Sequence, residues 1–186
     1  MPKSWLDHSE QLLLHTRIFD VRALRRASPR DGTHHDFFVL DAPDWVNVVA
    51  VTEANEIVLI EQFRHGTAEV TLEIPGGMID DGEDATAAAV RELLEETGYA
   101  PERIEPIGTV EPNPAIQANR CTTFFAWNCK KVAETRFDTT EECALRLEPV
   151  TRAEELVRNG EIRHALVVAG LGYAWMHGLL PRQPEP

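Results

Sequence analysis

Three glutamates crowd the middle of this chain: Glu92, Glu95 and Glu96. At i, i+3 and i+4 they share one patch of a helix surface. Like charges so placed repel by a few tenths of a kcal/mol when exposed, roughly 0.2–0.5, and by more when water is excluded. Arg91, four residues before Glu95, can pair with it, but one arginine does not neutralise the group. Hard carboxylate oxygens gathered this way suit Mg²⁺ or Mn²⁺, and a divalent cation turns their repulsion into binding. Three glutamates on a helix also describe a solvated acidic face. Their place in the last turns, where the helix dipole disfavours anions, counts against that bland reading.

The helix that must carry them is expected from about Asp84 to Thr97. Asp80, Asp81 and Glu83 supply acids ahead of its N-terminus. Gly98 sits where a C-terminal glycine belongs. Ala87, Val90, Leu93 and Leu94 make the expected buried stripe. The runs 46–52 (VNVVAVT) and 56–63 (EIVLIEQF) read as strands buried on both faces, hence a sheet covered on two sides. EVTLEI (69–74) alternates and stops at Pro75-Gly76-Gly77. Further strands are expected near 104–110, 121–127 and 144–150. Thr151 with Glu154 reads as a capping box for a short helix ending near Asn159-Gly160. The last helix is expected over about 161–177. Upstream, 17–27 (RIFDVRALRRA) and 34–41 (HHDFFVLD) flank a turn and read as a strand hairpin. Strands with one helix in the middle and one at the end predict an α/β sandwich around a mixed sheet. The expected division is an N-terminal strand region, 1–45, and a main domain, 46–186.

Bulk properties narrow the function. The chain has 186 residues, 31 acidic against 18 basic, and a formal net charge of −13. That field repels nucleic acid and anionic lipid, so no nucleic-acid or membrane partner is expected. No apolar run approaches the length of a membrane span and the start has no signal-peptide pattern, which makes a cytoplasmic location the expectation. Cys121, Cys129 and Cys143 form no CxxC pair and read as reduced, packed thiols.

The stretch GGMIDDGEDATAAAVRELLEETGY (76–99) resembles the Nudix box, G-x5-E-x7-R-E-U-x-E-E-x-G-U, U being bulky and apolar. Gly77, Glu83, Arg91, Glu92, Glu95, Glu96 and Gly98 fill its seven fixed positions, and Tyr99 takes a final U that is more often aliphatic. Such a match arises by chance on the order of 10⁻⁹ per start site at average residue usage. The resemblance implies a Nudix-type α/β/α sandwich and metal-assisted hydrolysis with Mg²⁺, or Mn²⁺ in its place. It implies Glu92 and Glu96 as metal ligands, with Glu95 a further ligand or a hold on the arginine. The carbonyl of Gly76 is implied to reach the metal, with Gly77 allowing the bend. Arg91 would brace the loop through Glu83 or Glu95, and Gly98 would close the helix. In many relatives the catalytic base lies on a later loop. Here that points to Glu141 and Glu142, which also read as plain surface charge.

Outside the box, IVLIEQFRHG leading into LEIPGG resembles the ADP-ribose and nucleotide-sugar branch of the family, as do DAPDWVNVVAVT, NPAIQANRCTTFFA and GEIRHALVVAGL. The branch implies a nucleoside diphosphate sugar as substrate and a homodimer formed through the N-terminal strands. It implies Arg64 at substrate phosphate or ribose, where a guanidinium fork suits phosphate. Trp45 reads as a base-stacking residue or as ordinary packing. Pro114 falls near a proline that ADP-ribose hydrolases carry, but the segment here is NPAIQ rather than SPG and an acid. That departure favours broader nucleotide-sugar hydrolysis. The rival readings are a non-catalytic nucleotide-sugar sensor, which would be expected to have lost part of REUxEE, and a dinucleoside polyphosphate hydrolase.

Overall fold

The computed structural model describes residue 1, residues 3–136 and residues 143–182. Glu141 and Glu142 lie outside the described residues. The chain forms two compact units: 1–43 with 111–120, and 44–110 with the residues from 121 onward.

The second unit is built on a sheet. Its strands are β4 (Trp45–Thr52), β5 (Glu56–Arg64), β6 (Glu69–Glu73), β7 (Gly76–Met78), β8 (Tyr99–Ala100), β9 (Arg103–Val110), β10 (Cys121–Lys131) and β11 (Cys143–Pro149). The order is β11-β5-β4-β10-β8, with β6 on β5, β7 on β4 and β9 on β10. β4 and β10 run parallel and the other pairs antiparallel, so the sheet is mixed. Successive residues of β4 point to opposite faces. Val46, Val48 and Ala50 join a core with Ala88, Ala89 and Leu93 of helix α1 (Ala85–Thr97). Val49 joins Leu156 of α2 (Ala153–Arg158) and Val167, Leu171 and Ala174 of α3 (Ala165–Met176) on the other face. This is the expected α/β/α sandwich, and the continuous apolar runs of β4 and β5 are explained by helices on both sides.

Helix α1 starts where Asp84 caps it, the carboxylate accepting from Thr86 N at 2.9 Å and Ala87 N at 3.3 Å. It ends at Gly98, φ 76°, whose N–H donates to the Leu94 carbonyl. The buried stripe differs from the one expected. It comprises Ala88, Ala89, Leu93, Glu96 and Thr97, whereas Ala87 is exposed and Val90 and Leu94 are half-buried. Small alanines let the helix approach the sheet closely, and that outweighs side-chain apolarity in selecting the face. The start of the short helix also differs from the one expected at Thr151. A 3₁₀ turn already spans Val150–Arg152, so Thr151 lies inside the first turn. The last helix starts later than expected because His164 is extended (ψ 122°) and Ile162 turns into the core, its N–H on the Leu156 carbonyl.

The first unit holds a three-stranded antiparallel sheet, β1 (Leu6–His15), β2 (Asp20–Ala27) and β3 (His34–Asp41). β2 and β3 are the expected hairpin. β1 was not legible, because two register breaks interrupt its alternation. The 111–120 segment docks on β3: Leu40 N donates to the Ile116 carbonyl and Ala118 N to the Leu40 carbonyl. No helix among the described residues is long and apolar enough to cross a membrane. All three cysteines are buried and none is in a disulfide; burial pushes the Cys121 thiol up to about 12 and that of Cys129 to about 11.

Gly98 and Gly82 both have positive φ, but a Cβ on Gly98 would collide with the Ala133 carbonyl while one on Gly82 meets open space. Gly82→Ala should therefore cost about 1 kcal/mol, the left-handed backbone penalty alone, and Gly98→Ala at least twice as much. Urea unfolding of both variants checks this, and equal losses would contradict the steric account.

Candidate active site

The acid patch forms where α1 crosses β7. Glu96 lies on the buried face of the helix, 4% exposed, and its Oε2 accepts the Gly76 N–H at 2.8 Å. Glu92 sits beside it under Gly77, so close that a Cβ on Gly77 would strike the Glu92 carboxylate. Gly77 is therefore required for close approach rather than for the bend that the motif suggests. Gly76 is equally tight, against the backbone of Val46 and Asn47. Glu95 is nearly half exposed.

Arg91 organises this patch. Its Nε and Nη2 donate to Glu83 in a fork at 2.9 Å each, Nη2 reaches the Met78 carbonyl at 3.0 Å, and Nη1 reaches Glu92 at 2.8 Å and Glu95 at 3.3 Å. The brace was expected through Glu83 or Glu95; it uses both. Hydrogen bonds from Arg91, set against slight burial and helped by the Asp80 N–H, pull the Glu83 carboxyl down from 4.5 to about 2. Bonding to Glu83 and Glu92 raises the Arg91 guanidinium well above its ordinary value.

Arg64, at the end of β5, is committed to an acid. Its Nε and Nη2 donate to Glu73 at 2.8 and 2.7 Å, and Glu73 is 2% exposed. Burial pushes the Glu73 carboxyl up, but bonds from Arg64 and Thr71 outweigh it and the net direction is down. Glu73 ends β6 only three residues before Gly76, whose N–H bonds Glu96, so this pair borders the acid patch. Sequence reading did not single out Glu73; only the tertiary contact shows it. Trp45, half-buried, opens β4 opposite Met78 and Cys121. In the first unit Pro114 is exposed, in the turn where the Asn113 carbonyl accepts two N–H groups. Asn119 is buried with its amide on the Pro43 carbonyl.

Among the described residues no three acidic, His or Cys side chains converge on one point. The reason is Arg91, which draws Glu92 and Glu95 toward itself while Glu96 turns to Gly76. The donor set nevertheless suits a hard divalent cation: oxygen only, on one helix face, with Glu96 buried. An ion there would compete with Arg91 Nη1 for Glu92 and Glu95 and leave the Glu83 fork in place.

Glu83 stabilises the fold through a lowered pKa. That contribution is complete above its ordinary 4.5 and is lost as pH falls toward 2. In metal-free protein Glu83→Gln should flatten the melting-temperature profile across that window. A profile with the wild-type slope would show that Glu83 is not the group titrating there.

Three comparisons bear on this geometry. A model of the NUDIX domain matches residues 43–170. The CMP-5'-(N-acetyl-N-hydroxy-3-aminopropyl)phosphonate hydrolase of Streptomyces rubellomurinus is 29% identical over 179 residues, 91% of this chain and 84% of that protein. The ADP-ribose pyrophosphatase of Bacillus subtilis is 28% identical, over 85% of this chain and 82% of that one. A solved structure described as that of an ADP compounds hydrolase matches with a TM-score of 0.84 at 20% identity, covering 96% of this chain and 97% of that chain, and so speaks for the fold. With every fixed position of the box placed on or beside α1, and a domain model spanning most of the chain, this protein belongs to the Nudix family.

Proposed function

We propose that this protein hydrolyses the diphosphate bond of ADP-ribose or related nucleoside diphosphate sugars, releasing a nucleoside monophosphate and a phosphosugar. The observation that carries the proposal is the acid patch: three carboxylates around one guanidinium, and Glu96 on the same helix buried against Gly76. An excess of buried negative charge beside a β7 backbone that glycine keeps open is suited to a cation carrying a diphosphate. The name of the Bacillus relative supports the substrate class, and that of the Streptomyces relative, a hydrolase of a CMP-linked phosphonate, leaves the nucleobase open.

Within this reading Glu92, Glu96 and the Gly76 carbonyl hold Mg²⁺, or Mn²⁺ in its place, and Glu95 either ligates or retains Arg91. The ion supplies neutralisation of the diphosphate oxygens and polarisation of the attacking water. Glu95, Glu141 and Glu142 are the candidate bases for the water's proton. Arg64 meets substrate phosphate or ribose, and Trp45 meets the rest of the nucleotide. The first unit pairs with a second copy, a reading supported by exposed Leu6, Leu14 and Phe38 on its strands. A cytoplasmic site of action completes the proposal.

The test is product analysis by mass spectrometry with Mg²⁺ and a panel of ADP-ribose, ADP-glucose, GDP-mannose, UDP-glucose, a cytidine diphosphate sugar, NADH and a diadenosine polyphosphate. AMP plus ribose 5-phosphate from ADP-ribose is expected, and Glu96→Gln should lower turnover on the order of a hundredfold or more. Mg²⁺ should raise the melting temperature of the wild type and not of Glu96→Gln. Ligand binding without turnover would replace this proposal with a sensor. Turnover of the diadenosine compound alone would replace the substrate class.

A further inference from the structure

Arg64 passes over its nearest acid. In the β5–β6 register Arg64 stands directly opposite Glu69, while Glu73 stands opposite Ile60. Ile60 and Arg64 are four residues apart, roughly 13 Å of strand at the usual rise. Glu69 is instead paired with Arg163. Arg64 therefore lies back along the sheet face, over the Gln62–Thr71 pair, to reach Glu73. Glu73 is itself fixed, because the Thr71 hydroxyl donates to its Oε1 at 2.6 Å. That hydroxyl also donates to the Gln62 carbonyl at 3.3 Å.

The pair is one-sided. Glu73 is 2% exposed and Arg64 40%. Only the guanidinium end is open to a ligand, and its Nε and Nη2 are already used by the carboxylate. What remains is the end turned away from Glu73, with both N–H groups of Nη1 and the second of Nη2. A free arginine at the end of β5 would extend past the sheet into solvent. Tethering costs side-chain entropy once, on folding, instead of on each binding event.

We propose that Glu73 is a positioning residue that holds the Arg64 guanidinium back over the sheet beside the acid patch, so that Arg64 presents one preset donor edge to the substrate diphosphate or ribose. The inference rests on the substrate-binding role of Arg64 in the proposed function. Glu69, the acid that strand pairing would nominate, has no part in it.

The experiment is a double-mutant cycle on Arg64→Ala and Glu73→Gln. It reads the Kd for α,β-methylene ADP-ribose with Mg²⁺ by calorimetry, alongside KM and kcat for ADP-ribose. Each single variant should weaken binding about tenfold, the loss of one charge-assisted hydrogen bond, with kcat changed far less than KM. The double variant should match Arg64→Ala to within about twofold, because Glu73 acts only through Arg64. Arg64→Lys provides a second arm that leaves Glu73 intact: it keeps the charge but not the fork, and should bind as weakly as Arg64→Ala. Additive losses in the cycle, or wild-type affinity in Arg64→Lys, would overturn the positioning role while leaving the proposed function standing. Unchanged affinity in Arg64→Ala would remove Arg64 from the substrate site, and no binding by the wild type would sink the proposed function itself.

Discussion

One guanidinium serving three carboxylates, with a fourth buried on the same helix, is the constraint around which the rest of this molecule is arranged. Arg91 can satisfy Glu83, Glu92 and Glu95 together only because it sits at the junction of α1, the loop before it and the Met78 carbonyl. Glu96 is carried onto the buried face by the same helix phase. Like charges this close are tolerable only with compensating cations and oriented N–H donors. Arg91 and the Gly76 N–H provide part of that compensation, and a divalent ion is the natural remainder. The carboxylates Arg91 holds are those an ion would take, while the Glu83 fork keeps the loop in place throughout.

The sandwich exists to deliver that junction. Ala88 and Ala89 bring α1 close to β4, and β4 holds β7 through the Gly76–Asn47 and Gly77–Val46 pairs. Two glycines then pass between the helix carboxylates and the β4 backbone at distances no side chain permits. The opposite face is filled by α2 and α3, which makes β4 and β5 central and rigid. A site built on such elements holds its geometry better than one built on loops.

Charge is handled differently at the sheet's other acid. Glu73 is buried and paired one to one, with Thr71 completing its hydrogen bonds. That pair is internally neutral, so it adds no demand for a cation. Its guanidinium end is half exposed, and Glu73 lies three residues before the Gly76 that bonds Glu96. The two carboxylate environments, one over-charged and one balanced, thus lie side by side: one suits an ion and the other offers a donor to an anionic ligand.

Local patterns carried much of this. The spacing of Gly77, Glu83, Arg91, Glu92, Glu95, Glu96 and Gly98, the bounds of α1 from its Asp84 cap to Gly98, and a sheet covered on both faces all follow from residues near one another in the chain, because helix periodicity, capping and strand burial are local effects. Tertiary structure alone decided the rest. It chose Ala88 and Ala89 over Val90 and Leu94 for the buried face, since closeness of approach depends on the partner surface. It sent Arg64 to Glu73 and gave Glu69 to Arg163, since long side chains select partners by distance in space and strand register does not predict their reach. It added β1 to the hairpin despite broken alternation and carried 111–120 to β3, because strand pairing there is decided by which backbone edges meet.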